Sequence, residues 1–254
     1  MRVLVVLVAS IAVCGVAAAQ KTPLPRARPA APATQNAPAA ERAEPAVDPS
    51  ACRLRMTNDL AVAPSLPAIQ GPGECGADDL VQLEAVVLPN RSRVAVTPPA
   101  ILRCTLAEAV VQWVREELTP LVDSFGGPLK NIDNYASYDC RGRNRMLGAP
   151  LSEHGKANAL DIRSLKLANG RVVQLTDVQV SRDFRDNLRR ATCARFMTVL
   201  GPGSDGFHEE HIHVDLAERS GGNRICHWEV REPDAAISTG GPRVPLPRPR
   251  PGGA

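Results

Sequence analysis

Aromatic side chains are scarce in this chain of 254 residues, at 3% of the total. A hydrophobic core must therefore be built from Val, Leu, Ile and Ala. Proteins that bind nucleic acids normally present a concentrated basic stripe with aromatic stacking residues. Here the net charge is only +3, and the basic residues are spread along the chain. The composition therefore predicts no nucleic-acid partner.

Long apolar runs are also missing, since no segment after the N-terminal region offers the roughly twenty apolar residues that span a bilayer. The apolar run of residues 3–16 is shorter, follows Arg2 and precedes three alanines. Residues 1–19 are therefore predicted to be a cleavable secretory signal. Cys14 within the run leaves lipid attachment open as an alternative. We expect an exported protein without a transmembrane span, located in the periplasm or the cell envelope.

Two segments lack the composition of a folded core. Residues 20–50 are rich in Pro and Ala, and residues 232–254 are rich in Pro, Gly and Arg. Such segments bury too little apolar surface to offset chain entropy, and both are predicted to be disordered. Each could act as a spacer or a docking strip, or be a solvated tail. Between them, residues 51–231 are predicted to form one domain.

Cysteines are few, and none has the C-x-x-C spacing of a zinc knuckle or a redox site. Six of them follow the predicted signal, and an even number in an exported chain predicts disulfides. The pairing is left open by the sequence. These six are Cys52, Cys75, Cys104, Cys140, Cys193 and Cys226.

Alternating apolar residues predict several strands. Two such segments surround the turn sequence PNRS. Another hairpin is predicted around Asn169-Gly170, a pair that favours a type I′ turn. The predicted strand segments are residues 80–88 and 93–96, the two arms of the hairpin 159–175, and residues 211–216.

Helical spacing of apolar residues predicts two helices. The first covers residues 106–118, where Thr105 and Glu108 form a capping box and Trp113 belongs to the core. The second covers residues 182–200 and ends before Gly-Pro. Because strands and helices do not alternate regularly, we expect an α+β fold with a small antiparallel sheet and flanking helices.

Histidines are rare, and four of the five lie in two clusters, SEHGKANALD (residues 152–161) and HEEHIHVD (residues 208–215). A catalytic zinc needs three protein ligands and an open position. His154 in a turn and Asp161 at a strand edge can converge on one ion. His211 and His213 share one face of a strand, so one can bind metal while the other lines the pocket. The two clusters together predict a metal site.

The same residues carry a family resemblance. SEHGKANALD resembles the S-x-H-x-x-G-x-A-x-D motif of zinc peptidases that include D-Ala-D-Ala carboxypeptidases, vancomycin-resistance dipeptidases, phage endolysin endopeptidases and the hedgehog fold. EHIHVD resembles their E-x-x-H and H-x-H-x-D segment. Together with CTLAEAVVQW and YDCRGRN, the stretch from about Cys52 to Trp228 is similar to the bacterial extensin-like C-terminal domain family. The resemblance implies a fold like that of hedgehog and the D-Ala-D-Ala peptidases.

The peptidase resemblance also implies roles for individual residues. His154, Asp161 and His213 would hold zinc (Zn2+). Glu210 would be the general base that takes a proton from water and returns it to the leaving amine. His211 would hydrogen-bond the tetrahedral intermediate or orient Glu210.

Two of these roles have alternatives. Arg143 or Arg141 would polarise the scissile carbonyl or clamp a terminal carboxylate, through the bidentate geometry of guanidinium. Glu209 is adjacent to Glu210, and spacing alone does not exclude it as the base. A regular strand would point Glu210 away from His213, so we expect a bend in the Gly-rich segment before it.

The sequence departs from the peptidase motif at one position and leaves two histidines without a counterpart. Ala157 stands in place of the motif's glycine, and metal binding is expected to survive this change. His208 and His227 are expected to have surface or structural roles. Asp215 would orient His213 as a hydrogen-bond acceptor.

These features lead to one main functional hypothesis and two alternatives. The main hypothesis is an exported zinc metallopeptidase that cuts peptidoglycan stem or cross-bridge peptides, as a carboxypeptidase or an endopeptidase. One alternative is a zinc-stabilised domain that binds cell wall without turnover. The other is a structural wall protein whose Pro-rich tails act and whose histidines are dispensable. The scissile bond and the oligomeric state are left open.

Overall fold

The computed structural model describes residues 49–232. The predicted signal and nearly all of both predicted Pro-rich tails lie outside this range. Within it, no helix has the length and apolarity needed to cross a membrane.

Strands make up most of the regular structure in this range. In chain order they are β1 Ala61–Val62, β2 Ser65–Leu66, β3 Ile69–Gln70, β4 Gly76–Ala77, β5 Leu80–Val87, β6 Arg93–Arg103, β7 Leu129–Ala136, β8 Ala159–Leu167, β9 Val172–Gln174, β10 Thr198–Leu200, β11 Ile212–Asp215 and β12 Ile225–His227. The α-helices are α1 Ala51–Arg55, α2 Cys104–Trp113, α3 Thr119–Phe125 and α4 Arg182–Arg195.

The main sheet has the strand order β1-β5-β6-β7-β8-β11-β10-β12, with β2 added at β5 and β9 at β8. Strands β3 and β4 form a separate pair. The predicted α+β class with an antiparallel sheet is confirmed. The sheet is nevertheless larger than expected, and β6–β7 and β10–β12 pair in parallel. Those two pairs join segments distant in sequence, which local alternation does not reveal.

The core lies between this sheet and helices α2 and α4. Trp113 is 1% exposed and meets Phe196 edge to face, with ring centroids 5.9 Å apart. The predicted core position of Trp113 is therefore confirmed. The remaining buried side chains are mainly Val, Leu, Ile and Ala, as the shortage of aromatic residues requires.

The first predicted helix starts elsewhere than expected. Helix α2 begins at Cys104, directly after β6, and its N-cap Arg103 makes no side-chain capping bond. The predicted cap at Thr105 is therefore wrong. Arg103 is the last residue of β6, and its backbone N–H donates to the carbonyl of Ala157 at 2.7 Å. This bond holds Arg103 in the strand, so the helix starts directly after it. Glu108 instead pairs with Arg55 at 2.6 Å.

The second predicted helix ends earlier than expected. Helix α4 is capped by the Ser181 hydroxyl and ends at Arg195. The predicted extension to Leu200 is wrong, since residues 198–200 form β10 and pair with β11. The β-branched side chains of Thr198 and Val199 favour this strand, and sheet pairing outweighs the helical spacing.

Both predicted hairpins are confirmed, with one correction. The turn at Asn169-Gly170 is not type I′, which requires positive φ at both residues, because only Gly170 has it, at 85°. The Gly170 N–H donates to the Leu167 carbonyl at 3.0 Å, and the Leu167 N–H donates to the Arg171 carbonyl at 2.9 Å. This pattern belongs to a three-residue hairpin loop in which Gly takes the left-handed position.

The six cysteines form three disulfides, which confirms the predicted staples. They are Cys52–Cys104, Cys75–Cys140 and Cys193–Cys226. The first joins α1 to α2, and the third joins α4 to β12. The second joins the loop before β4 to the segment after β7, beside the site described next. Disulfides persist in oxidising compartments, which is compatible with the predicted export.

Candidate metal centre

Two neighbouring strands carry the acidic and basic groups at the middle of the sheet. Asp161 on β8 and His213 on β11 are direct partners in the antiparallel register. Both are buried, at 3% and 6% exposure. His154 lies in a short 3₁₀ turn, Glu153–Lys156, that leads into β8. Strand pairing and this turn together bring His154, Asp161 and His213 to one point.

The turn that carries His154 is fixed at both ends. Ser152 caps it, accepting the backbone N–H of His154 at 3.4 Å. Ala157 ends it in the left-handed conformation, with φ of 52°. This is the position where the peptidase motif has glycine, and glycine adopts positive φ without strain. Ala157 adopts this left-handed conformation although it carries a Cβ atom.

The facing atoms of the three side chains are close together. Asp161 Oδ1 lies 2.9 Å from His213 Nδ1 and 3.2 Å from His154 Nε2. The two imidazole nitrogens are themselves 3.2 Å apart. One ligand atom from each residue lies within 4.8 Å of the other two, and all three residues are buried.

The outer nitrogens of both imidazoles already have acceptors. His154 Nδ1 lies 2.6 Å from the Ser137 carbonyl, and His213 Nε2 lies 3.1 Å from Asp215 Oδ2. A carbonyl only accepts, so His154 Nδ1 must carry the proton. In neutral imidazoles the inner nitrogens then present lone pairs towards the carboxylate of Asp161. Electron pairs that converge in a buried site repel one another unless a cation lies between them. Two imidazole nitrogens and one carboxylate oxygen are a ligand set that fits zinc.

The charges within this cluster shift the pKa values in opposite directions. Burial alone would raise the pKa of Asp161, but the adjacent His154 and His213 imidazoles outweigh burial and lower it. Burial alone would lower the pKa of His213, but hydrogen bonds to Asp161 and Asp215 raise it to about 9. Without a metal, His213 is therefore protonated at neutral pH and the proton supplies the cation.

The cluster lies in the wall of a cavity of about 680 Å³. Its lining includes His208 and His211 beside the cluster, and Arg141, Arg143 and Arg219 nearer the surrounding loops. This is the volume of a small-molecule or peptide site.

His211 lines this cavity as predicted. Its Nε2 lies 3.5 Å from Asp161 Oδ2, and its ring stacks on Tyr135 with centroids 4.7 Å apart. Burial lowers the pKa of His211 against the opposing charge of Asp161. Arg163 lies 5.1 Å from the Tyr135 ring. Because its pKa is lowered, His211 is a neutral imidazole next to the cluster.

The sequence predicts a surface or a structural role for His208. The surface alternative is wrong, because His208 is 7% exposed, lines the cavity and lies beside His211 and His213, with ring centroids 5.1 and 5.6 Å away. Its Nδ1 lies 2.7 Å from Asp205 Oδ1. The third histidine of the cluster HEEHIH was the only available signal. His227 lies on β12, is exposed and remains outside the cavity lining.

Asp205 is itself held in place. Its Oδ1 accepts the Phe207 N–H at 3.0 Å, and its Oδ2 accepts the Asn144 amide at 3.2 Å. Burial alone would raise the pKa of Asp205, but the bonds from His208 and Phe207 lower it. The ionised carboxylate keeps the proton on His208 Nδ1, which leaves Nε2 as the basic nitrogen.

The two predicted candidates for the base lie elsewhere. Glu210 is exposed and does not line the cavity. Glu209 is also exposed, accepts the Gly203 N–H at 2.9 Å and pairs with Arg231 at 3.0 Å. The chain bends before His213, as expected. This bend turns the side chain of His208 towards the cavity, whereas Glu209 and Glu210 do not line it.

The predicted arginines do reach the cavity. Arg141 and Arg143 both line it. Arg141 pairs with Asp139 at 3.0 Å. The guanidinium of Arg143 has no ion-pair partner within residues 49–232, so it is the freer of the two to meet an anionic ligand.

A second group of candidate ligands does not qualify. Cys52, Asp79 and Cys104 lie close together. The two sulfurs form a disulfide with each other, so neither is a thiolate that could bind a metal.

The fold and this site define a class: an α+β domain with three disulfides and a buried His-Asp-His cluster in a cavity wall. The family model described as extensin-like protein C-terminus matches residues 50–227. The chain therefore belongs to the extensin-like protein C-terminus family, as the sequence resemblance predicted. Neither the curated proteins nor the solved structures gave a match.

Proposed function

We propose that this domain is a zinc-dependent peptidase acting on peptidoglycan stem or cross-bridge peptides in the cell envelope. One observation carries the proposal. His154 Nε2, Asp161 Oδ1 and His213 Nδ1 converge in a cavity wall, with both outer imidazole nitrogens already bonded. A site with three ligands beside open space is typical of catalytic zinc rather than structural zinc.

The three residues would hold the metal through the facing atoms. The Ser137 carbonyl and Asp215 would fix the two imidazole planes and their tautomers. Zinc, when bound, supplies the activation of water and the polarisation of a carbonyl oxygen. Every proton movement is then left to the chain's own residues.

We assign the proton transfer to His208 instead of Glu210. Its Nε2 has no hydrogen-bond partner within residues 49–232, while Asp205 holds its Nδ1. Nε2 would accept a proton from the attacking water as hydroxide adds to the peptide carbonyl carbon. As the C–N bond breaks, the same nitrogen would return the proton to the leaving amine. Asp205 would stabilise the transient imidazolium.

Two cavity residues would position the substrate. His211, neutral and 3.5 Å from Asp161, would hydrogen-bond the oxygen of the tetrahedral intermediate. Arg143 would bind a carboxylate of the peptide, because its guanidinium is exposed at the cavity and unpaired within the described range. Peptidoglycan stem peptides carry such carboxylates, which supports this substrate class.

The test is incubation of the purified oxidised protein with peptidoglycan, followed by mass spectrometry of the released peptides. His208→Gln should reduce product formation at least about 100-fold, the scale of lost proton transfer, while bound zinc is unchanged. Glu210→Gln and the exposed-histidine control His227→Gln should retain activity. Loss of activity in Glu210→Gln, with activity kept in His208→Gln, would return the role to Glu210.

A second function is a zinc-stabilised domain that binds cell wall without turnover. The exposed position of Glu210, outside the cavity, favours it, since the peptidase resemblance implies a base at that residue. This function predicts bound zinc and sedimentation with peptidoglycan, but no released peptide from the wild-type protein.

A further inference from the structure

A protruding loop borders the cavity on one side. We refer to residues 140–150 as the arginine loop, since it carries Arg141, Arg143 and Arg145. Its base is closed by the disulfide Cys75–Cys140 and by an antiparallel bridge between Gly142 and Leu151.

Backbone hydrogen bonds hold the arginine loop in one shape. The Arg143 N–H donates to the Pro150 carbonyl at 2.9 Å, and the Met146 N–H donates to the Arg143 carbonyl at 3.1 Å. The Ala149 N–H donates to the Met146 carbonyl at 3.2 Å. The tip is therefore presented by a fixed backbone.

The tip of the arginine loop displays apolar side chains to solvent. Leu147 is fully exposed and Met146 is 59% exposed. Phe207, 53% exposed, lies on the neighbouring loop, which Asn144 joins to the arginine loop through Asp205 at 3.2 Å. Met146 and Leu147 are consecutive in the chain, and neighbouring apolar side chains that a fold holds in water mark an interaction surface.

Positive charge surrounds this apolar tip. Arg143 is exposed, and no carboxylate within residues 49–232 pairs with it. Arg141 and Arg145 share a single partner, Asp139, and the Arg145 side chain is 70% exposed. The arginine loop therefore presents more guanidinium charge than its own surroundings neutralise.

We propose that the arginine loop docks the domain on the surface of an anionic lipid bilayer. Leu147 and Met146 enter the boundary between headgroups and acyl chains, and the arginines bind the headgroup phosphates. Exposed apolar residues with adjacent basic side chains are the combination that interfacial segments use. Cell-wall peptide is polar and offers no apolar medium for Leu147, which is why a lipid surface fits this tip better.

This docking requires neither the metal cluster nor peptide cleavage, although Arg143 belongs both to the arginine loop and to the proposed substrate site. Docking uses side chains of the loop tip, whereas the metal cluster uses β8, β11 and the turn before β8. An Asp161→Asn variant should therefore bind vesicles as well as the wild type does, whether or not the domain cuts peptides.

The test is cosedimentation of the oxidised exported chain, without the predicted signal of residues 1–19, with lipid vesicles. Vesicles that contain phosphatidylglycerol should bind the protein more strongly than pure phosphatidylcholine, and added salt should weaken this binding. Arg145→Gln should reduce binding about fivefold, the effect of one basic residue near such a surface. Leu147→Ser should also reduce binding, whereas the control Leu54→Ser, at a position 66% exposed on α1, should not.

Two results would overturn the proposal. One is equal sedimentation of wild type, Leu147→Ser and Arg145→Gln, which would assign any lipid binding to another part of the chain. The other is the absence of binding to vesicles of either composition. Circular dichroism of each variant separates lost docking from lost folding, and both substitutions lie at exposed positions.

Discussion

Asp161 and His213 are partners across two antiparallel strands, and the carboxylate of one lies 2.9 Å from the imidazole of the other. The pairing of β8 with β11 therefore places both residues at the proposed site through the sheet itself. Strand β11 also carries Asp215, whose carboxylate bonds the far side of the His213 ring. Sites on rigid strands hold their geometry more accurately than sites on loops.

This arrangement predicts the effect of removing an orienting charge. Asp215→Asn should weaken zinc binding about 10- to 100-fold, because the His213 ring loses the carboxylate that fixes its tautomer. The fold should remain, since an asparagine oxygen can still accept the Ala217 N–H that Asp215 now accepts at 2.9 Å. Zinc affinity is measured by competition with a chromophoric chelator.

Asp133→Asn is the matched control for that variant. Asp133 lies on β7 and bonds Arg163 at 2.8 Å instead of a cluster histidine. The zinc affinity of the Asp133→Asn variant should equal that of the wild type. Equal affinities in all three proteins would show that Asp215 does not orient a metal ligand.

The raised pKa of His213 predicts a pH dependence of the metal-free protein. The folded pKa is about 9 against an ordinary value of 6.5, so protonation stabilises the fold. This stabilisation should be fully present below about pH 6.5 and disappear as the pH rises to about 9, a loss of roughly 1–3 kcal/mol. Urea unfolding in the presence of a chelator measures it.

Zinc-loaded protein should show the opposite trend, because zinc displaces the proton and binds more tightly as the pH rises. A His213→Gln variant should lose the pH-dependent step of the metal-free protein. If the metal-free wild type unfolds at the same urea concentration at pH 6.5 and pH 9, His213 is not the protonated group.

The disulfide Cys75–Cys140 should matter more to the site than the disulfide Cys193–Cys226. Cys140 follows Asp139, whose N–H donates to the His154 carbonyl at 3.2 Å, and Cys75 packs close to Gly155 in the His154 turn. Replacing Cys75 and Cys140 by serine should therefore lower both stability, by about 2–4 kcal/mol, and zinc affinity.

The corresponding double variant of Cys193 and Cys226 is the control. It should lose stability on the same scale but keep zinc affinity under conditions where it stays folded. Thermal unfolding and zinc titration are measured on both proteins. Unchanged zinc affinity after loss of Cys75–Cys140 would show that this bridge does not support the His154 turn.

Substitutions at Ala157, which ends the His154 turn, test whether this turn is strained. Its φ of 52° is unfavourable for Ala and neutral for Gly, while Gly adds entropy to the unfolded chain. Ala157→Gly should therefore change stability by less than about 1 kcal/mol and keep zinc binding, whereas Ala157→Val should destabilise the domain by more than that. Urea unfolding compares the three proteins, and a wild-type-like Val variant would show that the turn is not strained.

Much of this site could be predicted from sequence because its spacing follows strand geometry. Asp161 opens an alternating segment and His213 lies in another, so both could be assigned to strands before their pairing was known. His154 could be placed because the turn residues around it are characteristic. The peptidase resemblance then implied that these three residues act together as metal ligands.

The position of His208 could not be predicted in the same way. Its side chain turns inward because Asp205 holds it from within a Gly-rich loop, and loop geometry leaves no periodic pattern in the sequence. The acceptor for His154 is the backbone carbonyl of Ser137, which any residue could supply. Strand β10 could not be predicted either, because it is defined by its long-range pairing with β11 and not by a local sequence pattern.

Metal analysis of the purified oxidised chain tests whether His154, Asp161 and His213 hold zinc. We expect one zinc ion bound per chain by atomic emission, retained in His227→Gln and lost in His154→Gln. A folded wild-type protein that binds no zinc when it is supplied, or a His154→Gln variant that binds zinc as tightly as wild type, would contradict it.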